Sequence, residues 1–165
     1  MIVSVTRLLC AIGVGLWSVT VAAGQAPPSA TLSSDARTEL QNRRFDVVTS
    51  LRGFPLGVRD ALTALFGGGN LDIAEPGAPF RQSGGAVTPG LPPRRMINGT
   101  CSNEWCLLYY ERGGTPLTRN VLLFHWTPAA TKLEFGGVAP AGLATGDDVR
   151  KAVLSGAIKA PPQTY

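Results

Sequence analysis

Charge is scarce in this 165-residue chain: Asp, Glu, Lys and Arg make up 16% of it, against 44% hydrophobic residues. Coiled coils and long helical bundles need charge-rich helices, and tandem arrays need a fixed period. Neither feature is present, so these architectures are excluded. Histidine occurs once, at His125, and cysteine three times. A structural zinc needs four such ligands in a set spacing, so no metal site is expected. The basic residues are mostly Arg, scattered and never five in a row. The net charge of +4 is therefore a mild solubility property and not a nucleic-acid footprint. What the chain has in quantity is Gly (20) and Pro (13), a fifth of all residues. Dense Leu, Val, Phe, Tyr and Trp clusters in the second half still exclude a chain disordered throughout.

Residues 1–23 have a single basic residue, Arg7, an apolar run from Leu8 to Val21, and the small-residue exit Val21-Ala22-Ala23. That order is the pattern of a secretory signal peptide cleaved after Ala23. The run is broken by Gly13, Gly15, Ser18 and Thr20, and falls short of the roughly 20 apolar residues that a membrane span needs. A periplasmic or secreted protein is expected, with no span after cleavage. Cys10 leaves with the peptide, and Cys101 and Cys106 remain as an even pair in an oxidising compartment, expected to form a disulfide. Closing a six-residue loop is worth about 2 kcal/mol, so the bridge shapes the loop more than it holds the domain.

Residues 24–33 read as a disordered leader and 34–165 as one α+β domain. Leu40, Val47, Val48 and Leu51 fall on one stripe, predicting a first helix over Asp35–Leu51 with Ser34 as cap. Pro55 opens a second helix, with Val58, Leu62, Leu65 and Phe66 facing inward and Gly67 to Gly69 as stop. Asn70 to Pro93 is a long loop expected to lend one or two short edge strands from Leu71, Ile73, Phe80 or Val87. An antiparallel meander of about four strands follows: Arg94–Asn98, Cys106–Glu111, Val121–Trp126 and Lys132–Phe135, the last ended by Gly136-Gly137. The second and third are apolar on both faces, so helices should cover both sides of the sheet. A short last helix is predicted over Asp147–Ser155, capped by Thr145, with Val149, Val153 and Leu154 facing in.

For chemistry the residues offer little. A hydrolase would use His125 with Glu104 or Glu111, but neither a Gly-x-Ser-x-Gly elbow nor a Ser-x-x-Lys pair accompanies it. The glycine runs lack the Lys-Ser/Thr ending of a phosphate loop. Asn98-Gly99-Thr100 matches a glycosylation sequon and reads as an exposed turn before the cysteines. No cofactor is expected. The most pointed feature is the tetrapeptide Ser102-Asn103-Glu104-Trp105 between Cys101 and Cys106. As a stiff tip it suits binding, with Trp105 exposed; as a pinned hairpin it would fold Trp105 back onto the core.

The second half resembles the periplasmic inhibitor-of-vertebrate-lysozyme family, over Arg94 to Lys159. The shared order is a Cys-x4-Cys loop at Cys101–Cys106 running into Leu107–Glu111, a hairpin partner at Val121–Trp126, the strand Lys132-Leu133-Glu134-Phe135, and an amphipathic helix from Val149 to Gly156. The resemblance implies an exported, non-enzymatic inhibitor whose loop enters the lysozyme cleft. The family's loop reads Cys-Lys-Pro-His-Asp-Cys, and its histidine meets the catalytic carboxylate pair. Here Glu104 stands in place of that histidine and Trp105 in place of the Asp. An ionised Glu104 is repelled by two carboxylates. The residues thus point to a binding domain for a protein or other envelope macromolecule, using Ser102, Asn103, Glu104 and Trp105. A small periplasmic hydrolase and a structural envelope protein without a discrete site are the alternatives.

Overall fold

Two neighbouring strands with apolar residues on both faces must lie in the middle of a sheet that is covered on both sides. The computed structural model, which describes residues 31–82 and 89–159, has that arrangement. Five strands form one antiparallel sheet in sequence order: β1 (Asp46–Val48), β2 (Arg94–Cys101), β3 (Trp105–Arg112), β4 (Thr118–Trp126) and β5 (Thr131–Val138). The meander of four is thus extended by β1, on the edge beside β2.

Alternate side chains of the central strands feed two separate cores. On one face Met96, Cys106, Leu108, Tyr110, Leu122 and Phe124 pack under α2 (Leu56–Leu65), through Val58, Ala61 and Leu62, with Phe66, Leu51 and Phe54 completing the layer. On the other face Trp105, Leu107, Tyr109, Val121, Leu123 and Phe135 pack under α1 (Ser34–Asn42) and α3 (Gly146–Leu154). Those two helices are tied reciprocally: Arg37 donates to the Leu154 carbonyl and Arg150 to the Arg43 carbonyl, both at 3.0 Å. α3 starts at Thr145, whose hydroxyl accepts from the Asp148 amide while the Asp148 carboxylate accepts from the Thr145 amide, a closed capping box.

The first helix is shorter than its stripe predicts. It ends at Asn42, its N-cap is Ser33 and not Ser34, and Asp46–Val48 pairs with Gly99–Cys101. Leu40 lies in one core, Val48 and Leu51 in the other, and Val47 is 72% exposed. The chain crosses the sheet edge here, so the apparent helical stripe is the accident of two half-patterns. Leu32, assigned to the leader, packs against the α1–α3 core. The expected signal peptide at 1–23 and most of the expected leader at 24–33 lie outside the described residues.

Among the described residues of the long loop, Ala74 alone bridges β2, at Arg95, and Phe80 and Ile73 are buried; Val87 lies outside the described residues. Asn98-Gly99-Thr100 is not a turn. It is internal to β2, with Gly99 and Thr100 buried, because β2 runs on to Cys101. β5 likewise continues through its glycines. Gly137 leaves room for the chain after α3, since a Cβ there would strike the Lys159 carbonyl and the Ile158 side chain.

Candidate functional site

The hairpin joining β2 to β3 is closed at its last register pair, Cys101 opposite Cys106, by the disulfide, with the Cα atoms 4.1 Å apart. The four residues between them make a hydrogen-bonded turn. The Ser102 amide donates to the Trp105 carbonyl at 2.7 Å, and the Trp105 amide donates to Ser102 Oγ at 3.2 Å. The Trp126 amide on β4 donates to the Glu104 carbonyl at 2.8 Å, so a second strand holds the turn from the side.

Trp105 does not project. It begins β3, is 5% exposed, and lies in the α1–α3 core. Its indole stacks on the His125 imidazole, the ring centroids 4.5 Å apart and the planes 22° from parallel. The structure therefore has the pinned hairpin and not the exposed aromatic tip: the period-2 alternation of β3 sends Trp105 to the same side as Leu107 and Tyr109. Of the four candidate residues, Asn103 and Glu104 are exposed and Ser102 is half-buried.

These three residues form one wall of an open cleft of about 400 Å³ whose other wall is Glu39, Arg43, Arg44 and Asp46, from the end of α1 and the start of β1. Arg43 pairs with Glu39 at 2.9 Å and Arg44 with Asp46 at 3.3 Å. The Glu104 carboxylate reaches no closer than 3.9 Å to His125 Nε2. Both arginines are paired on their own wall, and Glu104 is the exposed carboxylate on the hairpin wall. The far wall is not legible in the sequence, because Glu39 to Asp46 falls inside one apparent helical stripe. The β-branched pair Val47-Val48 was the available sign of a strand.

Of the hydrolase pairings, the structure brings His125 only to Glu104. Glu111 lies opposite Arg119, six register positions along the strands from the Trp105–His125 pair, on the order of 20 Å away. The Ser102 hydroxyl is occupied by the Trp105 backbone, and both cysteine sulfurs are bonded to each other. Among the described residues no group of three His, Cys, Asp or Glu side chains could hold a metal ion, and no helix is long and apolar enough to cross a membrane.

No family model, curated protein or solved structure matches the chain.

Proposed function

We propose that this is an exported, non-enzymatic binding domain that engages a protein or other envelope macromolecule through the hairpin tip Ser102–Glu104 and the cleft behind it. The observation that carries the reading is the way the tip is held. A disulfide, two turn hydrogen bonds, the bond from β4 and the buried Trp105 anchor fix a turn whose two central residues, Asn103 and Glu104, face solvent. A tip ordered before contact loses little conformational entropy on binding. Trp105 acts as the anchor of the tip and not as its contact.

The likeness in element order to the inhibitor-of-vertebrate-lysozyme family supports a role of that general kind, with a changed target. Glu104 at the histidine position offers a carboxylate acceptor and favours a partner that presents a cation or N–H donors. The pair of experiments that tests this uses one protein of each kind. Wild type should inhibit an animal lysozyme poorly, and Glu104→His should gain inhibition, because an imidazole can donate a hydrogen bond to the enzyme's carboxylates. Tight inhibition by the wild type would overturn the electrostatic reading. Envelope proteins captured by the immobilised wild type should be lost with Glu104→Lys, and capture unaffected by that change would remove the tip as the binding surface.

A further inference from the structure

At the end of the sheet away from the disulfide, three neighbouring strands place charge in one row. Arg95 on β2, Glu111 on β3 and Arg119 on β4 are register partners. Arg95 Nη2 donates to Glu111 Oε2 at 2.7 Å, and Arg119 Nη2 lies 3.3 Å from Oε1. Glu111 is only 8% exposed, on a strand that is apolar from Trp105 to Tyr110. Exchanging such a triad for apolar residues is commonly neutral or stabilising, so stability alone does not account for charge at this place.

The row opens onto a cleft of about 320 Å³, a volume suited to a small molecule. Ile97, Leu143 and Ala144 supply its apolar side. Tyr109 also lines it, donating its phenolic proton to the Pro140 carbonyl at 3.0 Å; burial raises its pKa, so it adds no negative charge. Arg95 is steadied over the Phe80 ring, 4.5 Å from its centroid, while Arg119 keeps a third of its side chain exposed at the cleft wall.

We propose that this cleft binds a small organic monoanion, its carboxylate against the guanidiniums of Arg119 and Arg95 and its apolar body against Ile97, Leu143 and Ala144. Planar guanidinium forks match a carboxylate. Glu111 sets the charge preference: two guanidiniums and one carboxylate leave a single positive charge. One ligand carboxylate neutralises that charge, whereas a dianionic phosphate would leave an excess negative charge beside Glu111. The site is separate from the hairpin tip and stands or falls without it.

The test is an amide NMR titration of the purified protein with hexanoate, hexanol and inorganic phosphate. Hexanoate should shift Ile97, Leu143 and Ala144 to saturation, hexanol should not, and phosphate should bind about tenfold more weakly or less. Arg119→Gln should weaken hexanoate binding about tenfold, as loss of one charge-assisted contact predicts. Ala144→Asp, an exposed position outside the triad, should do the same by placing a like charge at the mouth, and keeps the test decisive if the Arg119 variant does not fold. The proposal is overturned by the absence of saturation, by equal shifts from hexanol, or by hexanoate affinity unchanged in Ala144→Asp.

Discussion

The imidazole of His125 is the platform on which the indole of Trp105 rests, in near-parallel contact at 4.5 Å, and Glu104, one residue before that indole, points its carboxylate at the same imidazole from 3.9 Å. Lys132 is the register partner of His125 on its other side, and is itself paired with Glu134 at 2.9 Å. Removing the platform should loosen the indole: in His125→Ala, Trp fluorescence should become more accessible to a soluble quencher than in wild type, while the fold persists. Quenching unchanged in that variant would show that the strand and helices, and not the imidazole, hold Trp105 in place.

Loss of the disulfide should be survivable. Cys101→Ser/Cys106→Ser removes about 2 kcal/mol of loop-closure stabilisation from a domain expected to have 5–15 kcal/mol in hand. The far-ultraviolet spectrum should persist while the midpoint of thermal unfolding falls and partner capture weakens. A double mutant that unfolds would show that the bridge holds the domain.

Leu62 is fully buried between α2 and the sheet. Leu62→Ala should cost about 3 kcal/mol, and Leu62→Asp should abolish cooperative folding, because a lone carboxylate would enter the core without a partner. Denaturant unfolding of both variants checks the assignment, and a folded Leu62→Asp protein would contradict it.

Gly99 is a packing glycine. An added Cβ would sit 2.5 Å from Phe54 Cζ and 3.0 Å from Met96 Cε, and Phe54 and Met96 are both buried. Gly99→Ala should therefore destabilise by about 1–3 kcal/mol through overpacking, measured as a lowered denaturation midpoint.

The α3 cap gives a pH signature. Hydrogen bonds from the Thr145 hydroxyl and amide hold the Asp148 carboxyl below its ordinary range in the folded protein. A depressed folded-state pKa means stabilisation that is present above the unfolded pKa and lost as pH falls through the folded one. Thr145→Ala should cost about 1 kcal/mol near neutrality. The gap from wild type should narrow in acid; a constant gap would remove the carboxylate from the account.

Much of this architecture is written in residue types. The doubly apolar runs Leu107–Tyr110 and Val121–Phe124 announce central strands and covered faces, and Pro55 and Thr145 mark the starts of two helices that form close to where they should. Bulges are what escaped. Glu134 is skipped in the β4–β5 register, so Phe135 faces one core and Leu133 the other, though two-residue spacing alone would put them on the same side. The register shift at Ile97 breaks alternation in β2 in the same way. Composition contains no sign of either, because a bulge is fixed by what the partner strand needs. At the candidate site, the loop and its disulfide were legible from cysteine spacing. The cleft wall from α1 and β1 was not, since it depends on the chain crossing the sheet edge between Leu40 and Val48.

The pairing of α1 with α3 sets the order in which the molecule can be completed. The first and last helices share one face, joined by the Arg37 and Arg150 contacts, while every strand lies between them in sequence. A nascent chain that has emerged only as far as Ala139 holds all five strands yet has no α3 to lay over Leu107, Tyr109, Leu123 and Phe135. Until α3 is in place, only α1 lies on that surface, and the part left open is a target for holdases or self-association. A nick that severs α3 would therefore act as a solubility lesion, out of proportion to the 9 residues of the helix.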